Sequence, residues 1–220
     1  QDVGWLLTHW ATHKPTHPFL VWEPRDGADR TWTYGEFLTE VRDLAAGMAS
    51  RGIVKGDKVL IHADNCPEMM LAWYACALVG AVGVTTNTKS TGSELEYFSG
   101  HARCVAAITQ PQFLAMVAEH APGLRWIAVT DDNSGEPADV VPAPGGVEVL
   151  TFAALHGDGS SWIDRPAEPM LPVGIMYTSG TTSRPKAVVH THANVIWASR
   201  LGPDNIALGT DDRYFIYTPF

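Results

Sequence analysis

The sequence is short of basic residues, and this shortage excludes some classes of partner. Lys and Arg number 15 against 24 Asp and Glu, which gives a formal net charge of −9. The negative charge is spread along the chain, so it repels phosphate backbones and anionic lipid head groups. We therefore expect no binding to nucleic acid and no stable membrane insertion. An anionic ligand would have to be held by local geometry, against the overall field.

Cysteines and long apolar runs are also scarce. The three cysteines, Cys66, Cys76 and Cys104, form no CxxC pair, and each lies in or beside an apolar stretch. This odd count predicts reduced, buried thiols rather than a disulfide framework. No apolar run approaches the ~20 residues that cross a bilayer, and the N-terminus lacks a basic-then-apolar signal pattern. These features predict a cytoplasmic protein.

What the sequence does contain is typical of a folded α/β protein. With 45% hydrophobic residues, a chain of 220 residues can bury a full core. Short apolar runs at 58–62, 81–86 and 104–108 predict strands, and segments with helical spacing lie between them. Strands that alternate with helices predict a parallel sheet with helices on both faces.

Two stretches rich in Pro, Gly and acidic residues interrupt this alternation, at 131–146 and 156–169. Such composition predicts exposed loops. The second stretch is our expected boundary between a first α/β subdomain at 1–170 and the start of a second at 171–220.

The segment after this boundary begins with an apolar strand at 173–177 and continues with strand-like residues at 187–191. Helical character follows at 194–200, and residues 213–217 are again strand-like. The chain then stops at Phe220 without a polar tail. We therefore expect the sequence to be a fragment of a longer chain.

The segment richest in groups that can bind a ligand lies between the predicted strands at 173–177 and 187–191. It covers residues 178–186 and reads Thr-Ser-Gly-Thr-Thr-Ser-Arg-Pro-Lys. Glycine lets the backbone approach an anion, hydroxyls and backbone N–H groups donate to phosphate oxygens, and Lys186 adds a mobile charge. This pattern favours a polyphosphate clamp. A Ser/Thr-rich hairpin loop with a solvated lysine has the same composition, so composition alone leaves both interpretations open.

The residue types at two positions argue against the Walker A loop. Gly180 and Lys186 have the Walker interval, but Pro185 occupies the second glycine position and Ala187 replaces the Ser or Thr that would hold magnesium.

The segment instead resembles the signature of the adenylate-forming superfamily, which includes acyl-CoA synthetases, luciferases and the adenylation domains of peptide synthetases. Its usual form is T-S-G-T-T-G-x-P-K-G. Weaker similarities, among them Gly56-Asp57-Lys58-Val59 and Thr191-His192-Ala193-Asn194, extend the resemblance over about residues 5 to 220. In this superfamily the loop grips the β and γ phosphates of ATP. By resemblance, the nucleotide-binding residues are Thr178, Ser179, Gly180, Thr181, Thr182 and Lys186.

The resemblance implies an ATP-dependent acyl-CoA ligase, which activates a carboxylic acid as acyl-AMP and transfers the acyl group to coenzyme A. ATP, Mg²⁺ and coenzyme A are then the expected small-molecule partners. No catalytic or metal-binding residue can be assigned here, because the magnesium, adenine and ribose contacts are expected beyond Phe220. The 220 residues alone are accordingly expected to be inactive. Alternatives are an adenylation domain that loads a carrier protein and a nucleotide-binding module that has lost catalysis.

Two positions depart from the usual signature. Ser183 and Ala187 replace glycines, so a positive φ angle at either position would strain the loop. The Thr-Ser-Arg-Pro-Lys run resembles the crotonobetaine/carnitine-CoA ligase branch, which carries serine at the first of these positions.

The alternation of His190 and His192 would place both on one side of a strand. One strand supplies too few ligands to close a metal site.

Overall fold

The computed structural model describes residues 1–24, 27–131, 146–178, 184–209 and 212–216. Strands and helices alternate through most of them. The strands in this part of the chain are β1 (Pro18–Trp22), β2 (Arg30–Thr33), β3 (Lys58–His62), β4 (Val82–Thr85), β5 (Cys104–Thr109), β6 (Trp126–Val129), β7 (Glu148–Thr151), β8 (Pro172–Thr178) and β9 (Lys186–Thr191). The helices are α1 (Val3–His13), α2 (Tyr34–Ser50), α3 (Pro67–Val79), α4 (Gly92–Ala102), α5 (Leu114–His120), α6 (Phe152–Leu155) and α7 (His192–Ile206), with a 3-10 turn at Pro111–Phe113.

Seven strands form one sheet in the order β7-β6-β5-β3-β4-β8-β9. Every neighbouring pair from β7 to β8 is parallel, and β9 is antiparallel to β8. Strands β1 and β2 form a separate antiparallel pair. The predicted α/β class with a largely parallel sheet is confirmed, while the antiparallel strand β9 at one edge was not predicted.

The central strand β3 shows how helices cover both faces. Val59 and Ile61 are buried in a core cluster with residues of α2 and α3, whereas Leu60 is buried in a second cluster with Leu95 of α4 and Val117 of α5. Because successive side chains on a strand point to opposite faces, a continuous apolar strand needs a helical layer on each side.

Local sequence signals mark where helices begin and end. Thr33 and Glu36 form a complete capping box at the start of α2, with both reciprocal hydrogen bonds present. Thr91 and Glu94 do the same at the start of α4. Gly80 ends α3 in the left-handed region, with φ of 84°. Gly80 and the Thr91–Glu94 capping box thus lie on the two sides of β4 along the chain.

The segment beyond residue 170 continues the same sheet, since β8 pairs in parallel with β4. The expected division into subdomains at 1–170 and 171–220 stays a prediction. Residues 213–216, expected to be strand-like, are not in a strand, so that prediction was wrong for them, and residue 217 lies outside the described part.

The three cysteines are buried and free, as the sequence predicts. Burial raises the pKa of the Cys76 and Cys104 thiols to about 12, so neither forms a thiolate readily. Separately, no helix within the described ranges is long and apolar enough to cross a membrane.

Candidate phosphate-binding site

Two of the six predicted nucleotide-binding residues face each other at the open end of a β-hairpin. Thr178 is the last residue of β8, Lys186 is the first of β9, and the two are paired in the strand register. The Thr178 hydroxyl lies 3.5 Å from the Lys186 carbonyl oxygen, and both side chains are exposed. The other four, Ser179, Gly180, Thr181 and Thr182, lie outside the described residues.

Ala187, the second departure from the usual signature, carries no strain. It lies in β9 opposite Tyr177, and the positive-φ residues other than glycine in the described part are Arg103 and Ala207. An extended residue needs no glycine, so alanine is accommodated here. Ser183 lies outside the described residues.

The hairpin carries two exposed cations, Arg184 and Lys186. Within the described ranges, neither has a carboxylate within the 4.0 Å of an ion pair. The Arg184 guanidinium instead lies over the ring of Tyr97, with its carbon 5.6 Å from the ring centroid. In a chain of net charge −9, these two exposed cations, which pair with no carboxylate in the described part, form a local positive site that can attract an anion.

Both ends of the hairpin contact helix α4. The Tyr177 hydroxyl donates to the backbone carbonyl of Phe98 at 3.1 Å, and the Tyr97 hydroxyl donates to the carbonyl of Pro185 at 3.2 Å. The Tyr177 ring also stacks on Phe98, with centroids 4.3 Å apart. Burial raises the pKa of Tyr177 to about 12, so its hydroxyl stays protonated and can donate.

The hairpin opens at the edge of the sheet where the parallel strands have their carboxyl ends. Ligands of open α/β sheets bind at this edge. The same edge holds polar residues that the sequence analysis did not single out, all of them buried: His62, Thr86, Thr109, Gln110 and Thr130. Their shared signal is a polar residue at the end of, or just after, an apolar strand or run.

His62 is the most constrained member of this group. Its Nδ1 lies 2.8 Å from the Thr86 hydroxyl, and its backbone carbonyl accepts from the Thr109 hydroxyl at 2.7 Å. Burial lowers the pKa of His62 to about 4, although the nearby carboxylate of Asp64 acts in the opposite direction. The imidazole is therefore neutral near pH 7. The side chain of His62 contacts the residue after β4, and its backbone carbonyl contacts the end of β5.

His192 does not share a strand face with His190, because β9 ends at Thr191 and His192 begins α7. The expected alternation was wrong for this reason. His192 is buried, its Nδ1 accepts from the Val3 backbone N–H at 3.3 Å, and its Nε2 lies 3.2 Å from Arg165 Nη2. No group of three or more His, Cys, Asp or Glu suited to a metal ion occurs within the described part of the chain.

Known proteins with similar sequences include coenzyme A ligases. The chain is 33% identical over 204 residues to the crotonobetaine/carnitine–CoA ligase of Escherichia coli (strain 536 / UPEC), covering 91% of this chain and 38% of that protein. It is 32% identical over 212 residues to the enzyme of the same name from Salmonella paratyphi A, with 91% and 38% covered. The chain thus spans 38% of the length of these relatives.

A solved structure with a similar fold is the O-succinylbenzoate coenzyme A synthetase of Bacillus subtilis in complex with AMP. The TM-score is 0.72 at 24% sequence identity, and the match covers 100% of this chain and 50% of that one. The family model for AMP-binding enzymes matches residues 7–220, nearly the whole sequence. On this match, the chain, whose Thr178 and Lys186 are paired at the carboxyl edge of the sheet, belongs to the family of AMP-binding enzymes.

Proposed function

We propose that this chain is part of an ATP-dependent acyl-CoA ligase and that the β8–β9 hairpin binds the triphosphate of ATP. In the first step, a carboxylate oxygen of the substrate attacks the α-phosphorus of ATP, which forms an acyl adenylate and releases pyrophosphate. In the second step, the sulfur of coenzyme A attacks the acyl carbon, which forms a thioester and releases AMP. Membership of the AMP-binding family and the names of the relatives support this reaction.

The observation that carries the proposal is the pairing of Thr178 with Lys186 beside Arg184, whose guanidinium pairs with no carboxylate among the residues that the structure describes. Pyrophosphate is the leaving group, so groups that orient it and neutralise its charge favour the first step. The contribution of the hairpin is therefore positioning and electrostatics rather than proton transfer. The proposed ligands of the β and γ phosphates are Thr178, Ser179, Gly180, Thr181, Thr182 and Lys186.

Mg²⁺ would accompany the nucleotide and neutralise part of its charge. The described residues offer no cluster of metal ligands. From the resemblance to the adenylate-forming superfamily, we propose that the magnesium ligands and the adenine and ribose contacts lie outside this chain, which spans 38% of the length of its relatives. Because ATP and coenzyme A are the co-substrates and the cysteines are free thiols, we place the reaction in the cytoplasm.

For the acid, the relatives point to crotonobetaine and carnitine, which their names carry. Both are small carboxylates with a quaternary ammonium group, and we propose this class as the first substrates to examine. For the acceptor, we propose coenzyme A, with a carrier protein as the alternative.

The test is pyrophosphate release by the full-length protein with ATP and a panel of acids that includes crotonobetaine, carnitine and unrelated fatty and aromatic acids. We expect release only when an acid is present, with coenzyme A consumed in proportion. ATP hydrolysis that needs no acid would contradict the proposal and favour a simple nucleotidase. Adenylation without coenzyme A consumption would favour the carrier-protein alternative.

A further inference from the structure

Helix α4 contacts the β8–β9 hairpin at two residues. Each of them comes directly before one of the two proposed phosphate-binding residues that the structure describes. Tyr177 precedes Thr178, and Pro185 precedes Lys186. The Tyr177 hydroxyl donates to the backbone carbonyl of Phe98, and the Pro185 carbonyl accepts from the Tyr97 hydroxyl. Two neighbouring positions of one helix thus hold both ends of the loop.

The Tyr177 hydroxyl has a third neighbour that completes its geometry. His101 Nδ1 lies 2.9 Å from the hydroxyl oxygen. The single hydroxyl proton is donated to the Phe98 carbonyl, because a carbonyl oxygen can only accept. His101 therefore carries its proton on Nδ1 and donates to Tyr177. The phenol is fixed by one donated and one accepted hydrogen bond in addition to its stacking on Phe98.

Helix α4 is a firm support for these contacts. Its first turn is closed by the Thr91–Glu94 capping box, and Leu95 and Phe98 anchor its inner face in the core. A site is held most reproducibly when the residues that orient it lie on a packed helix or strand. The aromatic side chains of α4 meet that condition, whereas the loop itself offers few apolar groups.

We propose that Tyr97 and Tyr177 are positioning residues, which set the separation and orientation of Thr178 and Lys186 for the ATP phosphates. This inference rests on the proposed function. Both hydroxyls are already engaged with backbone carbonyls, so they act through the hairpin rather than by touching the nucleotide. The ring of Tyr97 adds a second contact, the cation–π interaction with Arg184, which holds this cation beside the mouth of the hairpin.

A small displacement of reacting or binding groups lowers rate or affinity strongly, so loss of one of these hydroxyls should be visible in catalysis. Tyr97→Phe and Tyr177→Phe in the full-length enzyme remove one hydroxyl each and keep the ring. We expect the KM for ATP to rise roughly threefold to tenfold, as the net loss of one hydrogen bond implies, with the KM for the acid within about twofold. Tyr34→Phe is the matched control, because Tyr34 packs against Phe19 of β1, which lies outside the seven-stranded sheet that contains the hairpin.

Hydrogen exchange of the backbone amides at 186–188 gives a readout that does not depend on activity. We expect faster exchange in Tyr97→Phe than in the wild type or Tyr34→Phe. Unchanged exchange, or an equal rise in the KM of both substrates with a lower melting temperature, would overturn the positioning role. A different pair of results would separate the two proposals. If the wild type releases no pyrophosphate in response to an acid but Tyr97→Phe still exchanges faster, the proposed function is wrong. The support of the hairpin by α4 then still holds.

Discussion

Arg165 and Asp2 form a largely buried ion pair, with Arg165 Nη2 2.9 Å from Asp2 Oδ2 and side chains 17% and 4% exposed. The pair joins the start of α1 to the segment that leads into β8. Asp2 also accepts backbone hydrogen bonds from Trp5 and Glu168. Burial alone would raise the pKa of Asp2, but these two donors together with Arg165 outweigh it and lower the pKa.

We expect Asp2→Asn to destabilise the protein by about 2 kcal/mol, because it removes the closer and more buried of the two carboxylates that pair with Arg165 and leaves only Glu168, at 3.5 Å. Chemical denaturation followed by tryptophan fluorescence would measure the loss. Glu148→Gln is the matched control, since Glu148 pairs with Arg51 at the surface and such pairs contribute about 1 kcal/mol or less. If both variants lose the same free energy of unfolding, burial of the Asp2–Arg165 pair adds nothing to the stability of the protein.

The stability of the protein should fall as the pH drops below about 6.5, the pKa of a histidine in the unfolded chain. Burial lowers the pKa of His62 and of His192 to about 4, since it penalises the imidazolium. Between these two pH values the unfolded state binds more protons than the folded state, so acidification favours unfolding. Each histidine should contribute about 1.4 kcal/mol per pH unit across this window.

Urea unfolding at a series of pH values between 7 and 4 would measure this slope. His62→Asn removes one of the two groups while keeping a nitrogen near the Thr86 hydroxyl. We expect a shallower slope for this variant than for the wild type. An unchanged slope would show that His62 does not titrate with a lowered pKa.

Lys186→Ala should lower the rate of acyl-adenylate formation roughly tenfold to a hundredfold, the loss expected for one charge-assisted hydrogen bond. The side chain is exposed, so the melting temperature should change little. Acid-dependent pyrophosphate release by the full-length enzyme gives the rate. Lys14→Ala, at the end of α1, controls for the loss of one positive charge. A wild-type rate in Lys186→Ala would remove Lys186 from the proposed clamp.

Gly47→Ala should destabilise the protein by at least about 1–3 kcal/mol through overpacking. A Cβ at Gly47 would come within 1.6 Å of the Leu155 carbonyl oxygen, so the segment after α6 would have to move away from α2. Gly100→Ala is the control within another helix, because its Cβ would meet nothing closer than 3.9 Å. That change should be neutral or stabilising by up to about 1 kcal/mol, and thermal denaturation would compare the two.

Several elements could be predicted because their signals are local. Strand β3 covers the predicted residues Lys58–His62, and α2 begins at the capping box of Thr33 and Glu36. Such signals depend on contacts between residues three or four positions apart. The contacts between α4 and the hairpin could not be predicted, because Tyr97 and Pro185 are 88 residues apart and nothing in either segment alone indicates the other.

For the candidate site, the sequence by itself determined the chemistry: hydroxyls, a glycine and cations in one short segment after an apolar strand, in the order of a known signature. It could not determine where His192 lies, since a histidine after a strand is equally compatible with a surface position. Only the tertiary structure decided that His192 is buried between Val3 and Arg165, and that β9 returns antiparallel to β8. The physical reason is that residue type and spacing determine local propensity, whereas burial and strand partners depend on which distant segments pack together.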